Sequence, residues 1–299
     1  MIFSYFSHIS HFSKIAAFSL GVLSASSLFA FSWPRSTSGG EVFAKSFGQN
    51  RAGTVSNGVV FQDESEVHTI DNGKIVAIIS EHDDDMAWFE STLGTAIIVA
   101  HENQLCSVYA NLDSAEIPED VFTMDELDAG TSLGKTGKSN WHEEEAGLEF
   151  QIIDTKNQVL LNPRLILPRT RTEADKIAIS NVTAVSAKGE NYNFLIRRSL
   201  PSGTYKIYYD AQSEITPYKT TITINGVATE TISYDTLQQY KGRLCASKKK
   251  FYPSEVLFPD SNRQLIGEVS LTRGKINLAI IVTDIFENEK ATSFALDIN

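Results

Sequence analysis

The sequence predicts an all-β protein, and three observations carry that expectation. Short runs of β-branched and aromatic residues recur along the chain, each bounded by Gly, Asn, Asp or Pro. No window carries the 3.6-residue apolar period of a long amphipathic helix. The same strand-and-turn spacing resumes after a polar break at residues 169–176, so the 299 residues read as two β units.

Residues 1–30 hold one charge, Lys14, followed by the apolar stretch from Ile15 to Leu23 and small residues ending at Ala30. This is the pattern of a secretory signal peptide, with an apolar core shorter than the about 20 residues that span a bilayer. Retention as an N-terminal anchor is the other reading. The expected location is therefore outside the cytoplasm, in the periplasm or cell envelope, with no integral membrane span in the mature chain. Residues 31–44, with Ser36-Thr37-Ser38-Gly39-Gly40, read as a flexible lead-in.

Within residues 45–168, strands are expected at Val59-Val60-Phe61, Lys74 to Ile79, Ala96 to Ala100, Cys106 to Leu112 and Leu148 to Ile153. Asp71-Asn72-Gly73 is expected to close a hairpin. The polar run 169–176 is the linker. Residues 177–299 then offer strands at Ile177 to Val185, Asn193 to Arg197, Gly203 to Tyr209, Lys219 to Ile224, Glu268 to Leu271, Asn277 to Thr283 and Phe294 to Ile298. Punctuated by Pro201-Ser202-Gly203 and Asn225-Gly226, this spacing suggests an immunoglobulin-like (Ig-like) β-sandwich. Ser233 to Tyr240 is the one short helix expected.

With 37 acidic against 26 basic residues and a net charge of -11, a nucleic-acid phosphate backbone is excluded as a natural partner. Two cysteines cannot build a disulfide framework, and no Cys-x-x-Cys is present for a structural zinc. Cys106 and Cys245 read as unpaired thiols, Cys106 the more buried because it sits in an apolar run. A bridge between them stays open in an oxidising compartment. Asp83-Asp84-Asp85 lacks the remaining spacing of a calcium loop.

Seven segments arrive in a telling order between residues 45 and 168: Ser46-Phe47-Gly48-Gln49-Asn50-Arg51, Ser56-Asn57-Gly58-Val59-Val60-Phe61, Val67 to Val76, Ala96 to His101, Ser107-Val108-Tyr109-Ala110-Asn111-Leu112, Gly130 to Ser139, and Leu148-Glu149-Phe150-Gln151 before Asn162-Pro163-Arg164-Leu165. Together they resemble the lysostaphin-like (LytM-type) zinc endopeptidases that cut peptidoglycan cross-bridges, and so imply that family's β-sheet domain, the duplicated hybrid motif. The resemblance implies zinc held by two His and one Asp, with a water activated for attack on an amide. Carried over position by position, the ligands fall on Ser56, Val60 and Glu149, and two assisting His fall on Asn111 and Gly147. Val60 offers no lone pair, and Glu149 alone cannot hold zinc. The expectation is a degenerate member with no cofactor and no catalytic residue.

What the resemblance leaves is a peptide groove, with Ser56, Val60, Tyr109, Asn111, Trp141, Gly147, Glu149 and Gln151 as candidate binding residues. His101 matches a position that is not a ligand and reads as structural or groove-edge. The stretch Ser139 to Gly147 is several residues longer than in the family and brings Trp141, His142 and Glu143-Glu144-Glu145 towards the lost ligand pair. A zinc site rebuilt from Glu149 and His142 is therefore the rival reading, as an active peptidoglycan metalloendopeptidase; a purely structural envelope protein is the third. The second half resembles the Ig-like module that follows such domains, on Ile222 to Gly226 and on Ile280 to Asn288, where Glu287 replaces Gly. The function expected is an exported, inactive envelope protein that binds peptidoglycan or a cell-wall hydrolase.

Overall fold

The computed structural model describes residues 31–36, 43–51, 53–80, 91–140, 147–168, 177–212, 217–246 and 250–299. The signal-peptide and linker segments, Asp83 to Asp85, Trp141, His142 and the three Glu after it lie outside the described residues. Among the described residues no helix is long and apolar enough to cross a membrane.

The longer strands are β1 (Phe43–Lys45), β2 (Val59–Phe61), β3 (Gly73–Ile79), β4 (Thr95–Ala100), β5 (Leu105–Leu112), β6 (Glu149–Asp154) and β7 (Val159–Leu161). They are followed by β8 (Thr183–Ser186), β9 (Gly203–Asp210), β10 (Lys219–Ile224), β11 (Val227–Ser233), β12 (Thr236–Tyr240), β13 (Arg243–Ala246), β14 (Arg263–Leu271), β15 (Gly274–Thr283) and β16 (Glu289–Ile298). Most are β-branched or aromatic at alternate positions, which is what a half-buried pleated surface selects.

The main sheet centres on β6, which pairs along one side with β5 and along the other with β2 and then β7. Because side chains alternate across a strand, Phe150 and Ile152 turn to one face, where Tyr109, Phe61 and Ile97 complete the larger core. Glu149, Gln151 and Ile153 turn to the other. Among the described residues, that second face carries the small cluster of Ala96, Val108 and Ala110, with Ile79, Leu93, Ile98 and Ile153 packed against it.

The sheet does not end with the first half of the sequence. Leu160 of β7 pairs with Leu237 of β12, and β12 pairs in turn with β13. Residues 233–240, expected as a helix, are thus the last residue of β11, a two-residue connection and all of β12. Leu237 is fully buried in the core, whereas Gln239 and Tyr240, at the far end of the strand, are exposed, and the free edge of β7 pairs this run as a strand. The remaining strands form two sheets, one containing β8, β9 and β14 and the other containing β10, β11, β15 and β16. Ile207, Ile222, Ile266, Leu278 and Phe294 fill the core between them. A buried chain of hydrogen bonds joins the two cores: the Tyr209 hydroxyl donates to Gln264 Oε1 at 3.1 Å, and Gln264 Nε2 donates to the Tyr234 hydroxyl at 3.1 Å.

Local expectations fail where long-range partners intervene. Asp71-Asn72-Gly73 turns, but the strands on either side pair elsewhere, Glu66–His68 with Ser132–Lys135 and β3 with β4. After Asn193 the chain turns instead of extending, because the Asn193 side chain accepts the Leu195 N–H at 2.8 Å. The strand expected from Ile177 begins only at Thr183. Residues 31–36 pack against the first half: Phe31 is buried, Ser32 N–H donates to the Ile70 carbonyl, and the Trp33 indole N–H donates to the Pro168 carbonyl. Both thiols are free, and the expected ranking is reversed. Cys245 is buried, whereas Cys106 pairs with Ile153 on the second face of the main sheet and is half-buried.

Candidate functional site

At the head of β6, Glu149 lies directly opposite Val60 on one side and Ala110 on the other. Glu149 is 3% exposed. A carboxylate taken from water to that depth requires a counter-charge and hydrogen bonds. Arg51 supplies the charge: its Nη1 donates to Glu149 Oε2 at 2.9 Å. Arg51 is itself buried, held on the short strand Asn50–Arg51 that pairs with Thr54–Val55. Gln151 Nε2 donates to Oε1 at 2.9 Å, and Asn140 Nδ2 reaches Oε2 at 3.4 Å.

The loop before β2 is closed by Ser56. Its hydroxyl donates to the Gly58 carbonyl at 3.0 Å, its N–H donates to the Gln49 carbonyl, and its own carbonyl accepts from Gly48. Asn111 occupies the left-handed region at φ 64° and ties three segments together. Its side-chain amide donates to the Gly147 carbonyl at 2.7 Å, its Oδ1 accepts from the Asn140 N–H at 3.0 Å, and its main-chain N–H donates to the Leu93 carbonyl. A side chain at Gly147 is excluded, since a Cβ there would stand 2.3 Å from the Phe61 carbonyl oxygen.

The structure therefore brings Val60, Asn111, Gly147, Glu149 and Gln151 into one connected network through Asn140, and places Ser56 in the loop that follows Arg51. Tyr109 belongs to the opposite face. Its hydroxyl accepts the Ile70 N–H at 2.8 Å, its ring packs 5.4 Å from that of Phe150, and burial pushes its pKa well above the ordinary tyrosine value. It is a core residue and does not line a groove. His101 is structural: its Nδ1 donates to the Asn72 carbonyl at 2.8 Å, and its Nε2 lies 2.6 Å from the Ser107 hydroxyl. Trp141 lies outside the described residues. Arg51 and Asn140 are the residues that reading the sequence missed. The signal was there for Arg51, because a lone carboxylate in an apolar strand demands a cation and Arg is the one suited to burial.

Zinc needs three lone-pair donors converging on an open position. Here the Ser56 hydroxyl donates into its own loop, Val60 carries no donor atom, and both Glu149 oxygens already accept from Arg51, Asn140 and Gln151. These residues do not fit a zinc ion. Chemically the arrangement is a neutralised floor, lying under a small cleft of about 190 Å³ lined by Arg51, Thr54, Asn57, Leu93, Glu149 and Leu244 among others.

The model of peptidase family M23 matches residues 54–163, and a second family model that bears no description matches residues 176–299. An uncharacterized protein of Treponema pallidum (strain Nichols) is 31% identical over 130 residues, 41% of this chain and 86% of that protein. Among solved structures, LytU is 21% identical with a TM-score of 0.31, over 41% of this chain and 79% of its own. A chain of the SpoIIIAH and SpoIIQ complex is 18% identical with a TM-score of 0.34, over 44% of this chain and 96% of its own.

Proposed function

We propose that this chain, which belongs to peptidase family M23 through residues 54–163, uses the family's sheet to bind and not to hydrolyse. It is an exported envelope protein that engages peptidoglycan or a cell-wall hydrolase and scaffolds or regulates wall remodelling. The observation that carries this reading is the Arg51–Glu149 pair. A guanidinium sits on the one carboxylate left at the three ligand positions, so its charge stands where the family's metal charge would. An Arg cannot act as a Lewis acid towards water, nor give up a proton as a general acid, because a guanidinium stays protonated in proteins. The floor can still present an amide-lined surface, since Asn140 and Gln151 flank the pair. Export rests on the signal-like pattern of residues 1–30.

Three measurements on the full chain test the proposal. Metal analysis is expected to give far less than one zinc per chain, digestion of muropeptides to give no new products, and co-sedimentation to carry the protein down with purified sacculi or with a captured hydrolase. Stoichiometric zinc together with cleavage that disappears in Glu149→Ala would establish a peptidase instead. A protein that neither pellets with sacculi nor retains any hydrolase is a structural component only.

A further inference from the structure

At the edge of the main sheet remote from β12 and β13, three large apolar side chains stand in solvent: Val76 is 60% exposed, Phe122 54% and Met124 36%. The backbone brings them together. Gly73 pairs with Leu127 and Lys74 with Glu126, and the Ile75 N–H donates to the Asp125 carbonyl at 3.2 Å, so the same register sets Val76 beside Met124. The pairing of β3 with β4 slips between Ile75 and Ala77, which leaves Val76 as an extra residue turned out of the ladder. Phe122 and Met124 sit on a turn that is already ordered. The Asp120 carbonyl accepts the N–H groups of Thr123 and Met124 at 3.0 and 3.1 Å and the Thr123 hydroxyl at 2.9 Å, while the neighbouring Val121 is buried. A patch held in this way loses little conformational freedom when something covers it.

The charge around the patch decides what can cover it. From Ile75 to Gly134 the sequence holds 13 Asp or Glu and no Lys or Arg. Glu119, Asp120, Asp125, Glu126 and Asp128 are exposed on the same stretch of chain as Phe122 and Met124, and Lys74 answers Glu126 at 2.8 Å. Beside Glu126 a cavity of about 420 Å³ is lined by Glu102, Glu126 and Asp128 together with Lys74, His101 and Asn72 among others. An anionic lipid surface or a nucleic acid is repelled by such a field. A second copy of this chain brings the same carboxylates and is repelled likewise. A neutral glycan leaves the carboxylates unanswered. A cationic segment with apolar side chains between its Lys or Arg residues meets both features: the apolar groups cover Val76, Phe122 and Met124, and a cationic head enters the cavity among three carboxylates.

We propose that this edge is a docking surface for a cationic, partly apolar segment of a second protein. It shares no lining residue with the Arg51–Glu149 cleft. The proposal rests on reading the domain as a binding module and names the kind of partner it takes. Zinc content and muropeptide cleavage test that reading, whereas affinity at Phe122 and Met124 tests this one, so each can fail without the other.

The test is titration calorimetry of the full chain, at physiological ionic strength, with the capped peptide acetyl-Lys-Leu-Lys-Phe-Lys-Leu-Lys-amide. Two further peptides are run beside it, one with Glu in place of every Lys and one with Ser in place of Leu and Phe. The first is expected to bind, the Glu version to show no binding, and the Ser version to bind at least tenfold more weakly. Phe122→Ser combined with Met124→Ser is expected to reduce the affinity at least tenfold, and Glu102→Gln combined with Asp128→Asn at least fivefold. All four side chains are exposed, so these variants leave the core intact. Absence of binding by the first peptide, equal affinity in Phe122→Ser with Met124→Ser, or equal affinity for the Ser version overturns the proposal. So does sedimentation with phosphatidylglycerol vesicles, or a dimer, that the same double variant abolishes, since either assigns the patch to a different occupant.

Discussion

The Arg51 guanidinium lies 2.9 Å from the Glu149 carboxylate although 98 residues separate them in the chain, and water reaches little of either. Removing one partner strands the other charge inside the protein. Arg51→Leu is expected to destabilise the fold by about 3–5 kcal/mol, while the double variant Arg51→Leu with Glu149→Leu recovers most of that loss. Urea unfolding measures both. Equal instability in the single and double variants would show that the charge itself is not what the site must satisfy.

Gln264 is the shared partner of Tyr209 and Tyr234, and all three are buried. Replacing it with Leu leaves two hydroxyls without that partner in a low-dielectric interior. A loss of about 1–3 kcal/mol per stranded group is expected, read as a lower thermal midpoint. An unchanged midpoint would mean that water takes over both bonds.

Glu287 holds φ 68° in the turn where Asp284 Oδ1 accepts the N–H groups of Phe286 and Asn288. A residue with a Cβ is strained there, and glycine is not. Glu287→Gly is expected to stabilise the chain by about 1 kcal/mol, and denaturant titration that shows a loss instead would reveal a contact made by the Glu side chain.

Burial raises the pKa of Tyr109, Tyr209 and Tyr234 above the ordinary value of 10. A group whose folded pKa is raised contributes stability that is complete below the unfolded pKa and is lost as pH climbs towards the folded one. Stability should therefore fall progressively above about pH 10, with these three phenols ionising only as the fold opens. Ultraviolet absorbance of tyrosinate, followed beside circular dichroism, checks this. Full ionisation of every tyrosine before any loss of ellipticity would contradict it.

How much of this could be read in the chain itself depends on range. The strand runs around Val60, Tyr109 and Phe150 declare themselves locally, because alternation and β-branching are properties of a few consecutive residues. The altered ligand positions are equally plain once the segments are aligned in order. Arg51 could be quoted, but nothing near it in sequence says that it meets Glu149. The fate of Thr236–Tyr240 was hidden for the same reason, since a short amphipathic run takes its period from whichever partner it finds, and Val159–Leu161 lies about 75 residues upstream in the chain. Burial of Cys245 over Cys106 likewise follows from which face of which strand is covered, a property of the assembled sheet.

The pairing of Leu160 with Leu237 has a consequence for synthesis of the chain. Until residues 236–246 have left the ribosome, Val159-Leu160-Leu161 is an aliphatic strand whose outward N–H and C=O groups have no mate. Expression of the amino-terminal half by itself would make that temporary state permanent, displaying an adhesive edge to every neighbouring copy. Soluble material is thus expected only from versions long enough to carry their own edge cover.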